Sequence, residues 1–314
     1  MSARRGATDL SGILAVDKPG GCTSHDVVDR VRRVTGERRV GHAGTLDPMA
    51  TGLLVVLVGP ATRLAPFLTS AEKTYEARIV FGAQTDTDDA EGRVIDTAPI
   101  PDEVADPFFV TGTIASLVGV HQQVPPAFSA IKVDGKTAYK AARNGESLEL
   151  EPRTIEVTGA RLLGIECADE YAWDVEFVVS KGTYIRALAR DLGIAMGTVA
   201  HLGALRRTRS GALEVRAAHS LDSIADAPDV RTLFADPLDA LGLPVVDLDP
   251  ESAALVANGV ALDAACALGV AVRDGLVALS CDGRLLAVYD LANGTLSPRC
   301  VIPGGVPSYE RSTS

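Results

Sequence analysis

The sequence predicts a fold that mixes helices and strands and ends in a small β-rich segment. Apolar runs at residues 12–17 and 53–58 are typical of short buried strands, and residues 75–81 alternate like a half-buried strand. After about residue 246, turn dipeptides that favour tight hairpins recur roughly every ten residues. They are Asp274-Gly275, Asp282-Gly283 and Asn293-Gly294. This spacing predicts a β-meander or small barrel at the C-terminal end.

Two helices have clear sequence signals. Thr23 and Asp26 resemble a capping box at the start of the first, and its buried face is expected to hold Val27, Val28, Val31 and Val34. The second begins near Tyr184 and is expected to bury Ile185, Leu188 and Leu192. A helix is also predicted over residues 251–261, and residues 36–51 are predicted to be loop.

The acidic segment from Asp86 to Glu91 superficially resembles a calcium-binding loop. Its fifth residue is Ala90, and its sixth is Glu91 where that loop requires glycine. The segment is therefore predicted to be a solvated loop within the turn-rich residues 84–107.

Length and composition favour a globular protein of two domains. The 314 residues are 46% hydrophobic, yet no apolar run reaches the roughly 20 residues of a membrane span. The first ten residues lack an apolar segment, so no signal peptide is expected. The five cysteines are scattered and form no Cys-x-x-Cys pair, and the five histidines are dispersed. This pattern predicts a cytoplasmic protein without a disulfide framework or metal site.

The charge distribution leaves nucleic-acid binding open. A net charge of −11 opposes it, but basic residues cluster at 30–39, 132–143 and 206–209. Such clusters can bind phosphates, and they can equally be solvated helix faces.

One segment concentrates residues that suit catalysis, namely Arg39-Val-Gly-His-Ala-Gly-Thr-Leu-Asp-Pro-Met-Ala-Thr-Gly. Gly41, Gly44 and Gly52 permit tight turns, and Pro48 restricts Asp47 to extended geometry. A carboxylate held in this way near His42 suits a nucleophile or an acid–base catalyst. Taken alone, Asp-Pro is more typical of an ordinary turn than of a catalytic site.

The amino-acid sequence of the whole segment resembles the catalytic motif of the TruB family of tRNA pseudouridine synthases. Further segments resemble the motifs of this family in the same order: Asp17-Lys18-Pro19, Lys73-Thr74-Tyr75, Lys181-Gly182-Thr183-Tyr184-Ile185-Arg186 and Leu205-Arg206-Arg207. The resemblance covers residues 11–220 and departs from the family at Val55, where relatives often carry proline.

The resemblance implies an α+β pseudouridine synthase fold, with a largely antiparallel mixed sheet flanked by helices and a small PUA-like C-terminal domain. The implied domains are a flexible N-terminus (1–10), a catalytic domain (11–245), a C-terminal domain (246–305) and a flexible tail (306–314). Residues 122–153 would form an insertion in the catalytic domain that grips RNA.

The resemblance also implies roles for individual residues. Asp47 would be the nucleophile, Arg186 would pair with it, and Tyr75 would stack on the uracil and take part in proton transfer. The substrate-binding residues would be His42, Tyr184, Leu205, Lys18, Lys132, Lys136, Lys140 and Arg206. Lys18 is expected chiefly to brace the floor of the site. Arg186 has the alternative of a weak surface ion pair, and the insertion lysines could merely solubilise a hairpin.

The implied activity is conversion of uridine-55 in the T-stem-loop of tRNA to pseudouridine. The enzyme would extrude the base and need no cofactor, metal or obligate protein partner, working as a monomer. Two rival functions remain open, a guide-RNA-dependent pseudouridine synthase and a non-catalytic chaperone of tRNA folding. Whether Asp47 attacks the uracil ring or the sugar is open as well.

Overall fold

A computed structural model describes residues 8–129, 131–133, 136–138, 141, 148–263 and 274–309. The helices in these ranges are α1 (Ser24–Thr35), α2 (Ala65–Ser70), α3 (Pro107–Ser116), α4 (Ile185–Ala195), α5 (Leu221–Asp226), α6 (Pro237–Leu241) and α7 (Pro250–Ala257). None of these helices is long and apolar enough to cross a membrane.

The first strands of the described residues are β1 (Gly12–Lys18), β2 (Val40–His42), β3 (Thr51–Val58), β4 (Lys73–Phe81), β5 (Ala83–Thr85), β6 (Val94–Thr97), β7 (Gly119–Gln123), β8 (Lys132–Val133), β9 (Lys136–Thr137) and β10 (Arg153–Glu166). The later strands are β11 (Ala172–Val179), β12 (Ala200–Ser210), β13 (Leu213–Glu214), β14 (Phe234–Ala235), β15 (Val245–Asp247), β16 (Leu262–Asp263), β17 (Gly275–Cys281), β18 (Arg284–Ala292) and β19 (Thr295–Pro307).

The chain folds as two compact units. Unit 1 comprises Met1–Pro48, Gly52–Ala71 and Arg209–Ser314, and unit 2 comprises Met49–Thr51 and Glu72–Thr208. Each unit combines helices with mainly antiparallel strands, so the predicted α+β class is confirmed.

In unit 1, β1 and β3 form the central pair of a sheet. They run antiparallel from Gly12 opposite Val58 to Lys18 opposite Gly52, with β14 on the other edge of β1 and β2 on β3. Almost every residue of both strands is buried, which explains why they are continuous apolar runs instead of alternating ones. The strands predicted at 12–17 and 53–58 are confirmed.

A second sheet of unit 1 has the strand order β15-β17-β18-β19-β16. The turns at Asp282-Gly283 and Asn293-Gly294 join its three long strands, and Asp282 and Asn293 adopt the positive φ angles of 49° and 51° that such turns need. The predicted β-meander is therefore confirmed. Its apolar residues share one core with those of β1 and β3, and the predicted domain division at residues 245/246 stays a prediction.

Helix α1 begins with the predicted capping box. Asp26 N donates to Thr23 Oγ1 at 3.1 Å, and Thr23 N donates to the Asp26 carboxylate at 2.8 Å. The buried face differs from the prediction at one position, because Val34 is half-buried and Thr35 is buried instead. Thr35 lies one turn after Val31 and donates its hydroxyl to the Val31 carbonyl at 2.8 Å, so its burial leaves no donor unsatisfied.

In unit 2 the strand order is β12-β4-β11-β10-β7. The pairs β4/β11, β11/β10 and β10/β7 are all antiparallel, and Tyr75 on β4 lies opposite Phe177 on β11. Helix α4 packs against β4, and α3 packs against β10. The strand predicted at 75–81 is confirmed.

Three sequence predictions of local structure were wrong in part. Residues 36–51 were predicted to be loop but include the short strand β2. This strand depends on pairing with β3, so its own residues show no strand pattern. Residues 84–107 contain the hairpin β5/β6. Helix α7 ends at Ala257, before Asn258 and a left-handed Gly259 with φ of 72°, instead of continuing to residue 261.

The C-terminal residues are folded further than predicted. Val306 and Pro307 belong to β19, and the Tyr309 hydroxyl donates to the Ser11 carbonyl at 2.8 Å. The Tyr309 ring also packs edge-on against Phe234, with 5.2 Å between ring centroids. The flexible tail predicted from residue 306 therefore begins too early.

Candidate active site

The loop that carries Asp47 in unit 1 is fixed on both sides of that residue. Ser24, the first residue of α1, donates its hydroxyl to Leu46 O at 3.1 Å and accepts from Leu46 N at 2.9 Å. On the other side, Pro48 O accepts from Gly21 N at 3.0 Å. Leu46 is buried and Asp47 is half-buried. The carboxylate therefore projects from a backbone that cannot rotate freely.

Lys18 adds a second restraint to the same carbonyl. Its ammonium donates to Pro48 O at 3.1 Å and to Pro19 O at 2.9 Å, and the residue has no exposed surface. Burying an ammonium is costly unless its donors are satisfied. These contacts tie Lys18 to the backbone of the Asp47 loop, and its role as a brace stays a prediction.

Two of the three glycines expected to shape the loop adopt a backbone that favours glycine. Gly44 has φ of 100° and Gly52 has φ of 94°, both in the left-handed region. Gly41 lies within β2 outside that region, so its turn role was wrongly predicted. His42 is the last residue of β2, is half-buried and lies opposite Val56 of β3.

In unit 2, Arg186 lies in the first turn of α4 and is buried. Its Nη1 lies 3.5 Å from Asp89 Oδ2, with each side chain 6% exposed. The guanidinium also donates to the carbonyl of Thr87 at 2.9 Å and to that of Phe128 at 3.0 Å. The alternative of a weak surface ion pair is therefore wrong for Arg186.

The segment from Asp86 to Glu91 is not the solvated loop that the sequence predicted. Asp88 and Asp89 are 7% and 4% exposed, and Asp88 pairs with Arg190 at 3.1 Å. Arg186 and Arg190 are four residues apart on one face of α4, so the two aspartates meet two arginines in adjacent turns. Burial raises the pKa of Asp88, while the Arg190 charge opposes that change.

Tyr184 immediately precedes α4 and is half-buried. The Gln123 side-chain amide makes two hydrogen bonds with the backbone of Tyr184. Tyr184 N donates to Gln123 Oε1 at 2.9 Å, and Gln123 Nε2 donates to Tyr184 O at 3.1 Å. Gln123 thereby satisfies a donor at the start of the helix and fixes the orientation of the residues leading to Arg186.

Tyr75 on β4 and Leu205 on β12 are both buried, with 8% and 7% of their surface exposed. Arg206 is half-buried and its Nη1 reaches Thr51 Oγ1 at 3.5 Å. Because side chains alternate along a strand, Arg207 points to the same side as Leu205. Arg207 is buried and contacts Tyr75, with 3.4 Å from its Nη1 to the hydroxyl oxygen.

The lysines expected to contact RNA lie in a partly described segment. Lys132 of β8 pairs through its backbone with Thr137 of β9, and Lys136 of β9 is exposed. The two strands run antiparallel, with Val133 opposite Lys136. Lys140 lies outside the described residues.

Comparison with known families gives a single answer over most of the chain. The model of the TruB family pseudouridylate synthase N-terminal domain matches residues 32–185, and that of the tRNA pseudouridylate synthase B C-terminal domain matches residues 186–245. The tRNA pseudouridine synthase B of Mycobacterium sp. (strain KMS) is 46% identical over 291 residues, covering 91% of this chain and 94% of that protein.

The chain belongs to the TruB family of pseudouridylate synthases. A second TruB-family relative, the tRNA pseudouridine synthase B of Thermobifida fusca (strain YX), is 46% identical over 298 residues and covers 93% of this chain and 99% of that protein. The family resemblance read from the sequence is thus confirmed.

Solved structures confirm the pseudouridine synthase fold of this TruB-family chain. A chain in a Cbf5–Nop10–Gar1 complex superposes with a TM-score of 0.71, at 25% identity, over 95% of this chain and 87% of that one. A chain in an H/ACA ribonucleoprotein bound to a substrate RNA containing 2′-deoxyuridine has a TM-score of 0.69 at 24% identity, over 93% and 84% of the two chains.

Three residues at this TruB-family site were not predicted from sequence. Asp89 was assigned to a solvated loop, Gln123 has no local signal, and Arg207 was noted in a basic cluster and in the Leu205-Arg206-Arg207 motif but was given no role of its own. The buried contacts of each were invisible because their partners lie far away in the sequence. The alternation of β12 could have identified Arg207, since it shares a face with the apolar Leu205.

Proposed function

We propose that this protein converts uridine-55 in the T-stem-loop of tRNA to pseudouridine, with Asp47 as the nucleophile. The observation that carries the proposal is the restraint of the Asp47 loop by Ser24, Gly21 and Lys18 on both sides of the carboxylate. A nucleophile aimed by a rigid loop needs little reorganisation to reach its target. Membership of the TruB family supports the reaction, and the names of its relatives support tRNA as the substrate.

The reaction is an isomerisation. The bond between the sugar C1′ and uracil N1 breaks, the base rotates, and a bond from C1′ to C5 forms. The proton on C5 is lost and N1 gains one, so no atom is gained and no electron is transferred. No cofactor is therefore required by the chemistry. Asp47 supplies a negatively charged oxygen that attacks either the uracil ring or the sugar carbon.

Arg186 is proposed to hold the Asp47 carboxylate ionised and in position. A guanidinium carries five N–H donors, and that of Arg186 contacts Thr87, Phe128 and Asp89. Its orientation is already fixed by those buried contacts. A charge-assisted bond from a pre-oriented guanidinium is stronger and more directional than one from a mobile side chain.

The remaining site residues are proposed to bind the extruded nucleotide. Tyr75 stacks on the uracil and exchanges protons with it, while Tyr184 and Leu205 form the apolar walls of the pocket. His42 occupies the space that the base leaves in the RNA. Phosphates are bound by cationic side chains, which are those of Lys132, Lys136, Lys140 and Arg206. Lys18 acts indirectly by supporting the Asp47 loop.

We further propose that the enzyme acts in the cytoplasm as a monomer and without a protein partner. The scattered cysteines support a reducing compartment. Among described residues Cys22, Cys167, Cys281 and Cys300 are free thiols.

The test uses an unmodified tRNA transcript with tritium at C5 of its uridines. Purified protein without added RNA should release tritium to water from one position, and mapping should place the pseudouridine at position 55. Absence of release would contradict a stand-alone synthase. The fold likeness to Cbf5 chains favours a second candidate, a guide-RNA-dependent enzyme, which would release tritium only after a guide RNA is added.

A further inference from the structure

Arg207 is a buried cation that contacts the phenol of Tyr75 in two ways. Its Nη1 lies 3.4 Å from the Tyr75 hydroxyl oxygen, and its Cζ lies 5.9 Å from the centre of the ring. The residue is 1% exposed, and Tyr75 is 8% exposed. The first contact is a long hydrogen bond and the second is within cation–π range. Both lie within unit 2.

The hydrogen bond determines the direction of the Tyr75 proton. A guanidinium has donors and no acceptor, so the phenol oxygen must accept this bond. The phenol has one proton of its own, which must then point away from Arg207. A phenol hydrogen prefers the plane of its ring, so the number of remaining orientations is small. Arg207 thus leaves Tyr75 presenting its donor to the side opposite the guanidinium.

Arg207 lies close enough to a second buried cation, Lys73, for the two charges to repel. Lys73 lies two residues before Tyr75 on the same face of β4 and is 6% exposed. Burial, together with the charges of Arg207 and Lys181, lowers the pKa of Lys73 to about 8. Desolvation of the guanidinium and its repulsion of Lys73 both oppose the burial of Arg207. The positive charge that contacts Tyr75 is therefore buried beside a second buried cation.

We propose that Arg207 is a positioning residue that directs the Tyr75 hydroxyl towards the extruded uracil and stabilises negative charge on its oxygen during proton transfer. The inference rests on the proposed function. The phenol gives its proton to N1 as the bond from N1 to C1′ breaks. The resulting phenolate takes the proton from C5 after the C1′–C5 bond forms, which regenerates the phenol. In the interval the phenolate faces the guanidinium.

The test is a double-mutant cycle on the single-turnover rate of pseudouridine formation, with wild type, Arg207→Gln, Tyr75→Phe and the double variant. Arg207→Gln should lower the rate roughly 10- to 100-fold, the range expected for one hydrogen bond to a charged group. The apparent affinity for tRNA should change less than about twofold, because the effect is on the chemical step. In the Tyr75→Phe background, Arg207→Gln should cost less than about threefold.

Arg207→Lys separates charge from packing. It keeps a cation near the phenol and should retain a rate at least about fivefold above that of Arg207→Gln, since positive charge is what the phenolate requires. The comparison of the Arg207→Lys and Arg207→Gln rates still tests the role of the positive charge if Tyr75→Phe has no measurable rate or if Arg207→Gln folds poorly. Arg78→Gln is the matched control. Arg78 is on β4, the strand that carries Tyr75, pairs with Glu170 and Asp174 at the surface, and should not affect the rate.

Equal losses from Arg207→Gln in both backgrounds, or equal losses in the glutamine and lysine variants, would overturn the inference and leave the proposed function intact. Wild-type protein that forms no pseudouridine would overturn the proposed function and the inference with it. The two failures are therefore distinguishable by the wild-type rate alone.

Discussion

Arg186 and Asp89 form a buried ion pair with 3.5 Å between Nη1 and Oδ2, although the two residues belong to a helix and to a distant acidic turn. Thr87 Oγ1 donates to the other carboxylate oxygen of Asp89 at 2.6 Å, and Glu91 N donates to it at 3.1 Å. The aspartate is therefore itself held in place. Orientation of Arg186 depends on residues outside the motif that contains it.

Asp89→Asn should lower the rate of pseudouridine formation by at least about tenfold while tRNA affinity changes less than about threefold. The asparagine keeps the shape but removes the charge that orients Arg186, and a bond to a charged group contributes about 1.5–3 kcal/mol. Breaking a buried pair also destabilises the fold, by as much as about 3–5 kcal/mol. Single-turnover rates and urea unfolding measure the two effects separately.

Asp88→Asn is the matched control for that experiment. It removes a buried partner from Arg190, one helical turn beyond Arg186. It should destabilise the protein to a similar extent and lower the rate much less than Asp89→Asn. Equal effects of the two variants on the rate would show that Asp89 acts through stability alone.

Lys18→Met should lower both the rate and the stability. The variant keeps the apolar stem but removes the donor to Pro48 O, so the Asp47 loop loses one of its restraints. The expected loss in the free energy of unfolding is about 1–3 kcal/mol. Cys22→Ala, in the segment between β1 and α1, is the control, since its thiol makes a weak contact of 3.5 Å with Pro19 O, and it should keep the rate within about twofold. A wild-type rate in Lys18→Met would contradict the proposal that Lys18 supports the Asp47 loop.

Lys136→Ala should weaken tRNA binding and reduce its salt dependence. Each phosphate contact contributes about 0.7–0.9 to the slope of log K against log salt, so losing one contact should reduce the slope by about that amount. Filter binding between about 50 and 200 mM salt measures the slope. Arg161→Ala removes another exposed cation, which is paired with Glu176, and should leave the slope unchanged. An unchanged slope in Lys136→Ala would assign the hairpin a structural role.

The buried Lys73 should make stability depend on pH above neutrality. Its pKa is lowered from 10.5 to about 8 by burial and by the charges of Arg207 and Lys181. Between these values the unfolded chain binds a proton that the folded chain does not, so the free energy of unfolding rises with pH across the window. Below about pH 8 the contribution is lost. Urea unfolding of wild type and Lys73→Met should be measured at pH 7.5 and 9.5. The free energy of unfolding of wild type should rise relative to that of the variant between these pH values. The same difference in free energy at both pH values would contradict this prediction.

Local sequence signals predicted much of the fold. The capping box of α1, the apolar runs of β1 and β3, and the Asp-Gly and Asn-Gly turns of the C-terminal sheet each depend on neighbouring residues. β2 was missed because three residues carry almost no pattern and its stability comes from pairing with β3. Val34 was misplaced because an apolar residue was preferred over Thr35, whose hydroxyl is satisfied within its own helix.

The sequence predicts those residues of the candidate site that belong to a family motif. It does not predict residues whose contacts are with side chains distant in the sequence. Asp47, Tyr75 and Arg186 were predicted because each lies in a segment that resembles a sequence motif of the family. Asp88 and Asp89 resembled a solvated acidic run, since the sequence does not show that Arg186 and Arg190 would meet them; Asp88 lies 102 residues before Arg190. The same limit applies to Gln123, which holds Tyr184 from 61 residues away.

Asp47→Asn tests the central claim most directly. The variant keeps the shape of the side chain and removes the nucleophilic oxygen, so tritium release from a C5-labelled tRNA transcript should fall below detection while tRNA affinity stays within about threefold of wild type. Asp29→Asn, which removes a surface carboxylate paired with Arg32, serves as the control and should retain full activity. Asp47→Asn protein that turns over within about tenfold of the wild-type rate, or that loses tRNA binding in parallel with activity, would contradict the assignment of Asp47 as the nucleophile.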